Sequence, residues 1–246
     1  MRMLGAQVER SGNLLLDVLA QSDFELIRPH LTYVSLERGT SLVAPGQPID
    51  SGYFLTRGLA SVLATFGDGS FIEVALCGRD GLVGTSALLG GTSSFHTVVV
   101  QVGGEGYHIP ADALRSVADR SATLRTTMLR YVRYTGMQMA RTVLTNAKCS
   151  VEQRLARWLL MAHDRHPGDE LALTHETLAQ MLGVQRPTVT TALHALEGHG
   201  IIRSVRALII VRDRSALERL AGKAYGRFEA DFERLIAPSE CEALYR

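Results

Sequence analysis

The run from Thr174 to Glu197 constrains this chain more than any other stretch. Its spacing predicts two short helices joined by a tight turn. Thr174 can cap the first helix, because its hydroxyl can accept from the free N–H groups of the opening turn. Leu178, Ala179 and Leu182 fall on one face, and Gly183 supplies the permissive backbone of a sharp turn under which Val184 packs. Pro187 suits the first turn of the second helix, where a missing N–H costs nothing. Val189, Ala192, Leu193 and Leu196 form that helix's buried stripe. The opposite face carries Gln185, Arg186, Thr188, Thr190, Thr191 and His194. Short polar groups with one guanidinium fit a DNA major groove, Arg for a guanine edge and Thr for phosphate or a thymine methyl. The same pattern also suits an ordinary helical hairpin with a solvated face.

The residues after the hairpin favour the DNA-reading alternative. Glu197-Gly198-His199-Gly200 ends the second helix, and Ile201-Ile202-Arg203 and Leu208-Ile209-Ile210-Val211 read as two β-branched strands around Ser204-Val205-Arg206-Ala207. That pattern predicts a winged helix-turn-helix with Arg203 and Arg206 on or near the wing, within reach of phosphates. The run Leu178 to Val184, then Arg186-Pro187-Thr188-Val189-Thr190, then Leu196-Glu197 and Gly200-Ile201-Ile202-Arg203, resembles the C-terminal domain of the Crp/Fnr family of bacterial transcription regulators. In well-studied relatives a Glu follows the Arg at the helix entrance and a second Arg lies four residues beyond it. Here those positions hold Pro187 and Thr191, so the half-site is expected to differ.

Charge is distributed in blocks. The 246 residues carry a net charge of +1, but residues 1–114 hold 6 basic against 11 acidic side chains, residues 115–148 hold 7 against 1, and residues 149–246 hold 13 of each. An acidic front, a basic middle and a neutral end imply separate modules. The helix-turn-helix is not strongly basic, so phosphate neutralisation per subunit is modest and two copies of the site are favoured. The cysteines Cys77, Cys149 and Cys241 are far apart and form no CxxC, which fits a reducing cytoplasm. Met1 to Ser11 lacks the apolar core of a signal peptide, and no apolar run reaches membrane-spanning length.

Taken in order, Asn13 to Ala20 predicts a short amphipathic helix, and Ser22-Asp23 can cap a second one through Ile27. From Leu31 to Ile109, β-rich runs alternate with glycine turns: Tyr33 to Leu36, Ser41 to Val43, Tyr53 to Thr56, Ala60 to Thr65, Phe71 to Leu76, Thr97 to Val102 and Tyr107 to Ile109. Gly67-Asp68-Gly69 is a hairpin signal. Short strands at regular spacing predict a sandwich or jelly-roll barrel, and the order of turns resembles the sensory domain of the same family. Pro110 to Lys148 returns to helix. Leu114, Val117, Leu124, Met128, Val132, Met139 and Val143 recur at three- and four-residue steps, with Ser121 and Gly136 filling the seam. A helix from Ser121 to Asn146 would be roughly 40 Å long. It exceeds what a small barrel can cover, so the seam is expected to pack on its own copy, as the matching helix does in the family; a core helix covering the barrel is the other possibility. Arg125, Arg130, Arg133 and Arg141 would flank it. Ser150 with Gln153 predicts a capping box for a helix from Val151 to His163, with Leu155, Trp158, Leu159 and Leu160 on its core face. Arg214 to Leu235, including Phe228, reads as a helical tail that could pack on the winged domain or on another subunit.

In cyclic-nucleotide-responsive relatives a Gly-Glu pair is followed about ten residues later by an Arg, the Glu taking the ribose and the Arg the cyclic phosphate. The matching stretch here runs Gly84-Thr85-Ser86 to Phe95-His96-Thr97. Gly84 is present, Thr85 replaces the Glu, and Phe95 or His96 falls where the Arg belongs. A buried phosphate needs a cation or several N–H donors, so tight binding of cyclic AMP or cyclic GMP is not expected; the N–H groups of Gly90-Gly91 are a weak alternative anion site. No cysteine precedes Cys77, which argues against an iron–sulfur cluster. His96, His108 or Cys77 could each ligate a haem, but packed side chains explain them more simply, and no cofactor is expected. His163 and His166 with Asp169 make a weak metal pattern at a helix end. The chain has neither Gly-x-Ser-x-Gly nor Gly-x4-Gly-Lys-Ser/Thr, and no enzyme activity is expected.

The sequence therefore predicts an α+β chain with an N-terminal jelly-roll β-barrel, a long dimerisation helix and a C-terminal winged helix-turn-helix. The boundaries are 1–117 for the N-terminal helices and sensory barrel, 118–148 for the dimer helix and hinge, 149–214 for the winged domain and 215–246 for the tail. The expected function is a cytoplasmic homodimeric regulator reading near-palindromic double-stranded DNA, contacting RNA polymerase if it activates, with an unknown small-molecule effector and no membrane partner. The alternative is a signalling module whose winged helix contacts protein.

Overall fold

The structure, a computed structural model, describes residues 11–67, 69–226 and 232–236. The expectations for Met1 to Arg10, Asp68, Phe228 and Cys241 lie outside the described residues. Helices α1 (Leu14–Asp17) and α2 (Gln21–Ile27) open the fold. Asn13 caps α1 at the Leu16 N–H, and its amide also donates to the carbonyls of Leu55 and Gly81 at 2.7 and 2.9 Å, which anchors the N-terminus to the sheet. The helix stops at Asp17, short of the predicted Ala20. Asp23 does not cap α2; it is buried and accepts from the hydroxyls of Ser121 and Thr123 at 2.6 and 2.7 Å.

The β domain comprises β1 (Thr32–Leu36), β2 (Ser41–Val43), β3 (Ser51–Thr65), β4 (Phe71–Cys77), β5 (Leu82–Val83) and β6 (His96–Pro110). Every pairing among these strands is antiparallel, and the order β1-β6-β3-β4 has β2 on β6 and β5 on β3. Two of the glycine turns expected between the β-rich runs, those after Thr56 and after Val102, are absent. Arg57-Gly58 and Gly103-Gly104 lie inside the 15-residue strands β3 and β6, where the register shifts between Leu55 and Ala60. A Cβ on Gly58 would meet the Val102 carbonyl at 2.6 Å, and one on Gly104 would meet the Arg57 carbonyl at 2.3 Å. These glycines mark a bulge where two backbones approach closely, which in sequence looks like a turn.

Next come α3 (Ala111–Arg120) and the 27-residue α4 (Ala122–Lys148), capped by Ser121. The C-terminal part holds α5 (Val151–Arg165), β7 (Glu170–Leu171), α6 (His175–Leu182), α7 (Arg186–Gly198), β8 (Ile202–Val205), β9 (Leu208–Val211) and α8 (Arg214–Ala221). The Ser150–Gln153 capping box forms as predicted. The tail is not one helix: α8 ends at Ala221, and α9 (Phe232–Ile236) packs back on α4, with Phe232 edge-on to Tyr134 at 5.2 Å.

Among the described residues, two large apolar cores flank a smaller one inside the sheet, which holds Leu36, Leu55, Ala60, Cys77, Val83, Val98 and Val100. One of the two gathers α1, α2, α3, α9 and the inner face of α4, with Leu114, Val117, Leu124 and Met128 fully buried. Burial of such side chains contributes about 1.5–3 kcal/mol each. Leu124 and Met128 fall in the helix expected to form the dimer seam, but the chain's own core takes them. A second stripe of α4 runs Leu129, Val132, Gly136, Met139 and Val143, again at steps of three and four, with Leu129, Gly136 and Val143 exposed and Val132 and Met139 half-buried. Leu129 and Val143 are 41% and 65% exposed. The helix is apolar on two faces, so the sequence period alone could not separate them. The second core joins α5 to α8 with Leu59, Leu63, Leu76 and Val102 of the sheet, so the winged part is seated directly on the β domain.

Candidate nucleic-acid interface and sensory cavity

The helix-turn-helix forms as its residues dictate. Thr174 accepts from the Thr177 N–H at 3.0 Å to start α6. Gly183 turns the chain at φ 62°, and a Cβ there would meet Ile72 of β4 at 2.9 Å, so the turn rests on the β domain. Pro187 sits in the first turn of α7, and Val189, Ala192, Leu193 and Leu196 are buried beneath it. Gln185, Arg186, Thr188, Thr191 and His194 are exposed and Thr190 is half-buried. β8 and β9 form the wing, with β7 as a third strand on β9 that the sequence reading missed. Arg203 and Arg206 are exposed on it.

The structure gathers part of this set around one groove of about 600 Å3 between α7 and the wing, lined by Arg186, His194 and Arg206 together with His175, Glu197 and Ser204. Gln185, Thr188, Thr190, Thr191 and Arg203 lie outside it. Sequence reasoning missed His175, the residue that joins the parts. Its Nδ1 faces the Thr190 hydroxyl at 3.0 Å and its Nε2 the Ser204 hydroxyl at 3.2 Å, linking α7 to the wing. Glu197 accepts from the Ser204 N–H at 2.9 Å and adds a second link. Burial, then the nearby Arg186 and His194, lower the His175 pKa. The hairpin tip carries one cost: Ala207 has φ 58°, a left-handed conformation that disfavours a Cβ.

A second cavity, about 230 Å3, lies between the sheet and α4. Gly84, Thr85, Ser86 and His96 line it, whereas Thr97 does not and Phe95 points away at 88% exposure. From α4 come Tyr131, Val132, Thr135, Gly136 and Met139. Among the described residues no Lys, Arg, Asp or Glu lines it. The N–H groups of Gly90 and Gly91 both donate to the Ser86 carbonyl, so they are not free to cradle an anion as expected. Cys77 is buried with its Sγ 3.5 Å from the Tyr131 hydroxyl. Burial, reinforced by Asp80, pushes the thiol up to about 12, and burial likewise raises Tyr131. His108 is held by the Ser51 hydroxyl at 2.9 Å. His163, singled out as a metal candidate, faces Asp169 and Arg214 with its two ring nitrogens, each at 2.8 Å.

The two halves match known families separately. Residues 33–121 match the cyclic nucleotide-binding domain, and residues 153–220 match the Crp-like helix-turn-helix domain. A CRP-like cAMP-activated global transcriptional regulator of Mycobacterium tuberculosis (strain ATCC 25618 / H37Rv) is 29% identical over 201 residues, covering 76% of this chain and 87% of that protein. The global nitrogen regulator of Synechococcus elongatus is 26% identical over 192 residues, covering 74% and 86%. Among solved structures, FixK2 from Bradyrhizobium japonicum shares the fold with a TM-score of 0.68 at 19% identity, covering 79% of this chain and 99% of that one. A CRP-family transcriptional regulator from Thermus thermophilus gives 0.61 at 22% identity, covering 78% and 98%. With a cyclic nucleotide-binding domain leading into a Crp-like helix-turn-helix, the chain belongs to the Crp/Fnr family of transcription regulators.

Proposed function

We propose that the chain acts as a homodimer that reads a near-palindromic DNA site, placing α7 of each copy in successive major-groove faces about one helical turn apart. Arg186, at the helix entrance, contacts a base edge. Gln185, Thr188, Thr190, Thr191 and His194 shape the same face, and Arg203 and Arg206 of the wing hold phosphates. The observation that carries this reading is the clustering of Arg186, His194 and Arg206 around one groove of a Crp-like helix-turn-helix. Dimerisation uses the second stripe of α4 from Leu129 to Val143. The functional division is then residues 1–117 for sensing, 118–148 for pairing, 149–214 for DNA and 215–246 as a C-terminal tail. Contact with RNA polymerase accompanies activation, the site of action is the cytoplasm, and no catalytic step is involved. Among the described residues no helix is long and apolar enough to cross a membrane.

The sensory cavity does not take cyclic AMP in this reading, because among the described residues no Lys or Arg lines it to pair with a cyclic phosphate. Selection of random duplexes by the purified protein, with and without cyclic AMP, tests both parts. The expected result is one near-palindrome recovered equally in both conditions. Enrichment only with the nucleotide would overturn the reading of Thr85 and His96.

A further inference from the structure

The cavity beside α4 has a definite chemistry of its own. Its walls are mostly aliphatic, from Val62, Ala75 and Val98 of the sheet to Val132 and Met139 of α4. Its polar groups include the hydroxyls of Thr85, Ser86 and Thr135, which donate or accept without carrying charge, and the imidazole of His96. Cys77 and Tyr131 stay protonated at neutral pH, because burial raises both. An anion placed here would lose its water and meet no Lys or Arg side chain among the described residues, only the His96 imidazole and neutral hydroxyls, which disfavours it. Size narrows the choice further. An apolar cavity of about 150 Å3 accommodates benzene, and sites for drug-sized ligands run from about 300 Å3 upward. At about 230 Å3 this one falls between them.

We propose that the effector of this protein is a small uncharged molecule, one or two rings in size, held by the aliphatic walls and oriented by hydrogen bonds to the hydroxyls of Thr85, Ser86 or Thr135. This deepens the functional reading above by naming the ligand class of its sensory cavity. The occupant touches Val132, Gly136 and Met139, which also belong to the second stripe of α4. Gly136 is exposed, so the cavity reaches the surface where a second copy would seat and close it.

Calorimetric titration of the full chain without DNA tests the assignment, so its outcome is independent of DNA reading. The probes are indole and 1-naphthol, both uncharged at neutral pH, against naphthalene-1-sulfonate and cyclic AMP, which carry fixed charges. The expected result is one saturable site per chain for a neutral probe, with both anions weaker by about tenfold or more. Ala75→Leu and Val132→Phe fill the cavity from opposite walls, and each should weaken the neutral probe by a similar factor, with the fold checked by circular dichroism. Anions binding as well as neutral probes, no saturation by either neutral probe, or binding untouched by both filling variants would overturn the proposal. The comparison of charged and neutral probes on the unaltered chain decides it even if a filling variant fails to fold.

Discussion

The Trp158 indole donates to the Glu73 carboxylate at 2.6 Å, joining the first helix of the winged domain to strand β4 of the sensory domain. Ser61 donates to the other carboxyl oxygen, and Glu73 is 5% exposed. Burial pushes its carboxyl from the ordinary 4.5 up to about 7, against the pull of both hydrogen bonds and of Arg157 and Arg165. A raised acid binds its proton more tightly in the folded state, so this contribution is fully present below pH 4.5 and is lost as pH rises through about 7. Trp158 is the single tryptophan, so its fluorescence reports on the contact. We expect emission to titrate near pH 7 and the Glu73→Gln variant to remove that titration. An identical titration in the variant would place the responding group elsewhere.

Close by, Arg165 at the end of α5 pairs with Asp80 in the turn after β4 at 2.8 Å, with side chains 3% and 9% exposed. Arg165 also donates to the Tyr134 hydroxyl at 3.0 Å, and so touches sheet and α4 together. Removing one partner strands the other charge without water. Arg165→Ala and Asp80→Ala should each cost about 3–5 kcal/mol. The double variant should cost less than the sum, because it leaves neither charge behind. Urea denaturation measures all three, and strictly additive costs would mean the charges are not coupled in solution.

The winged helix was legible because its signals are local. Thr174 caps, Gly183 turns and Pro187 restarts, each within a few residues of its effect. Trp158 was legible only as a core residue. Its partner Glu73 sits 85 positions away in sequence, and nothing in the alternation of β4 marks a carboxylate that will be buried by another domain. His175 stayed hidden for the same reason, since it becomes a link only once the wing folds back over α7. The periodicity of α4 was legible but not which face it serves: Gly136 and Val143 are exposed and Val132 and Met139 half-buried, whereas Leu124 and Met128 repeat at the same steps and turn inward. Among the predicted cavity residues, the position after Ser94 decided the error. Phe95 looks like a pocket aromatic but swings into solvent, while His96 turns in.

His175 should matter to DNA binding without touching a base. His175→Ala removes the Thr190 and Ser204 links together, leaving α7 and the wing free to move apart. Affinity should fall by a similar factor for the selected site and for scrambled duplexes, since register between helix and wing is lost for both. Because its pKa is lowered, neutral His175 is the folded form, and the stability it contributes is present above the ordinary 6.5 and lost as pH falls below it. A loss confined to one base pair of the site would instead identify His175 as a direct reader.

Arg186 makes the opposite prediction. Its guanidinium is exposed at the head of α7, and an exposed Arg can make a bidentate contact to a guanine edge. Arg186→Ala should cost about 1–3 kcal/mol and relax specificity at one base pair of each half-site. Arg206→Ala, on the wing, should weaken all sequences alike and flatten the salt dependence by about one unit of slope. Binding measured over a set of single-base variants at two salt concentrations separates the two, and a uniform loss for Arg186→Ala would reassign it to phosphate.

The stripe on α4 carries the last prediction. Leu129 and Val143 stand open at 41% and 65% exposure and belong to none of the apolar cores, so a charge there does not disturb the fold of one chain. A continuous apolar stripe of this kind marks a contact surface, and its three- and four-residue steps suit a parallel partner helix. Val143→Arg places two guanidinium groups against each other across that seam, and Leu129→Arg repeats the test nearer the other end. Each variant should keep its circular dichroism spectrum yet sediment as a monomer. Binding to a palindromic duplex should then fall by a larger factor than binding to a single half-site, because a monomer uses one α7 where the dimer uses two. A variant that stays dimeric with unchanged affinity would show that the pairing surface lies elsewhere on the chain.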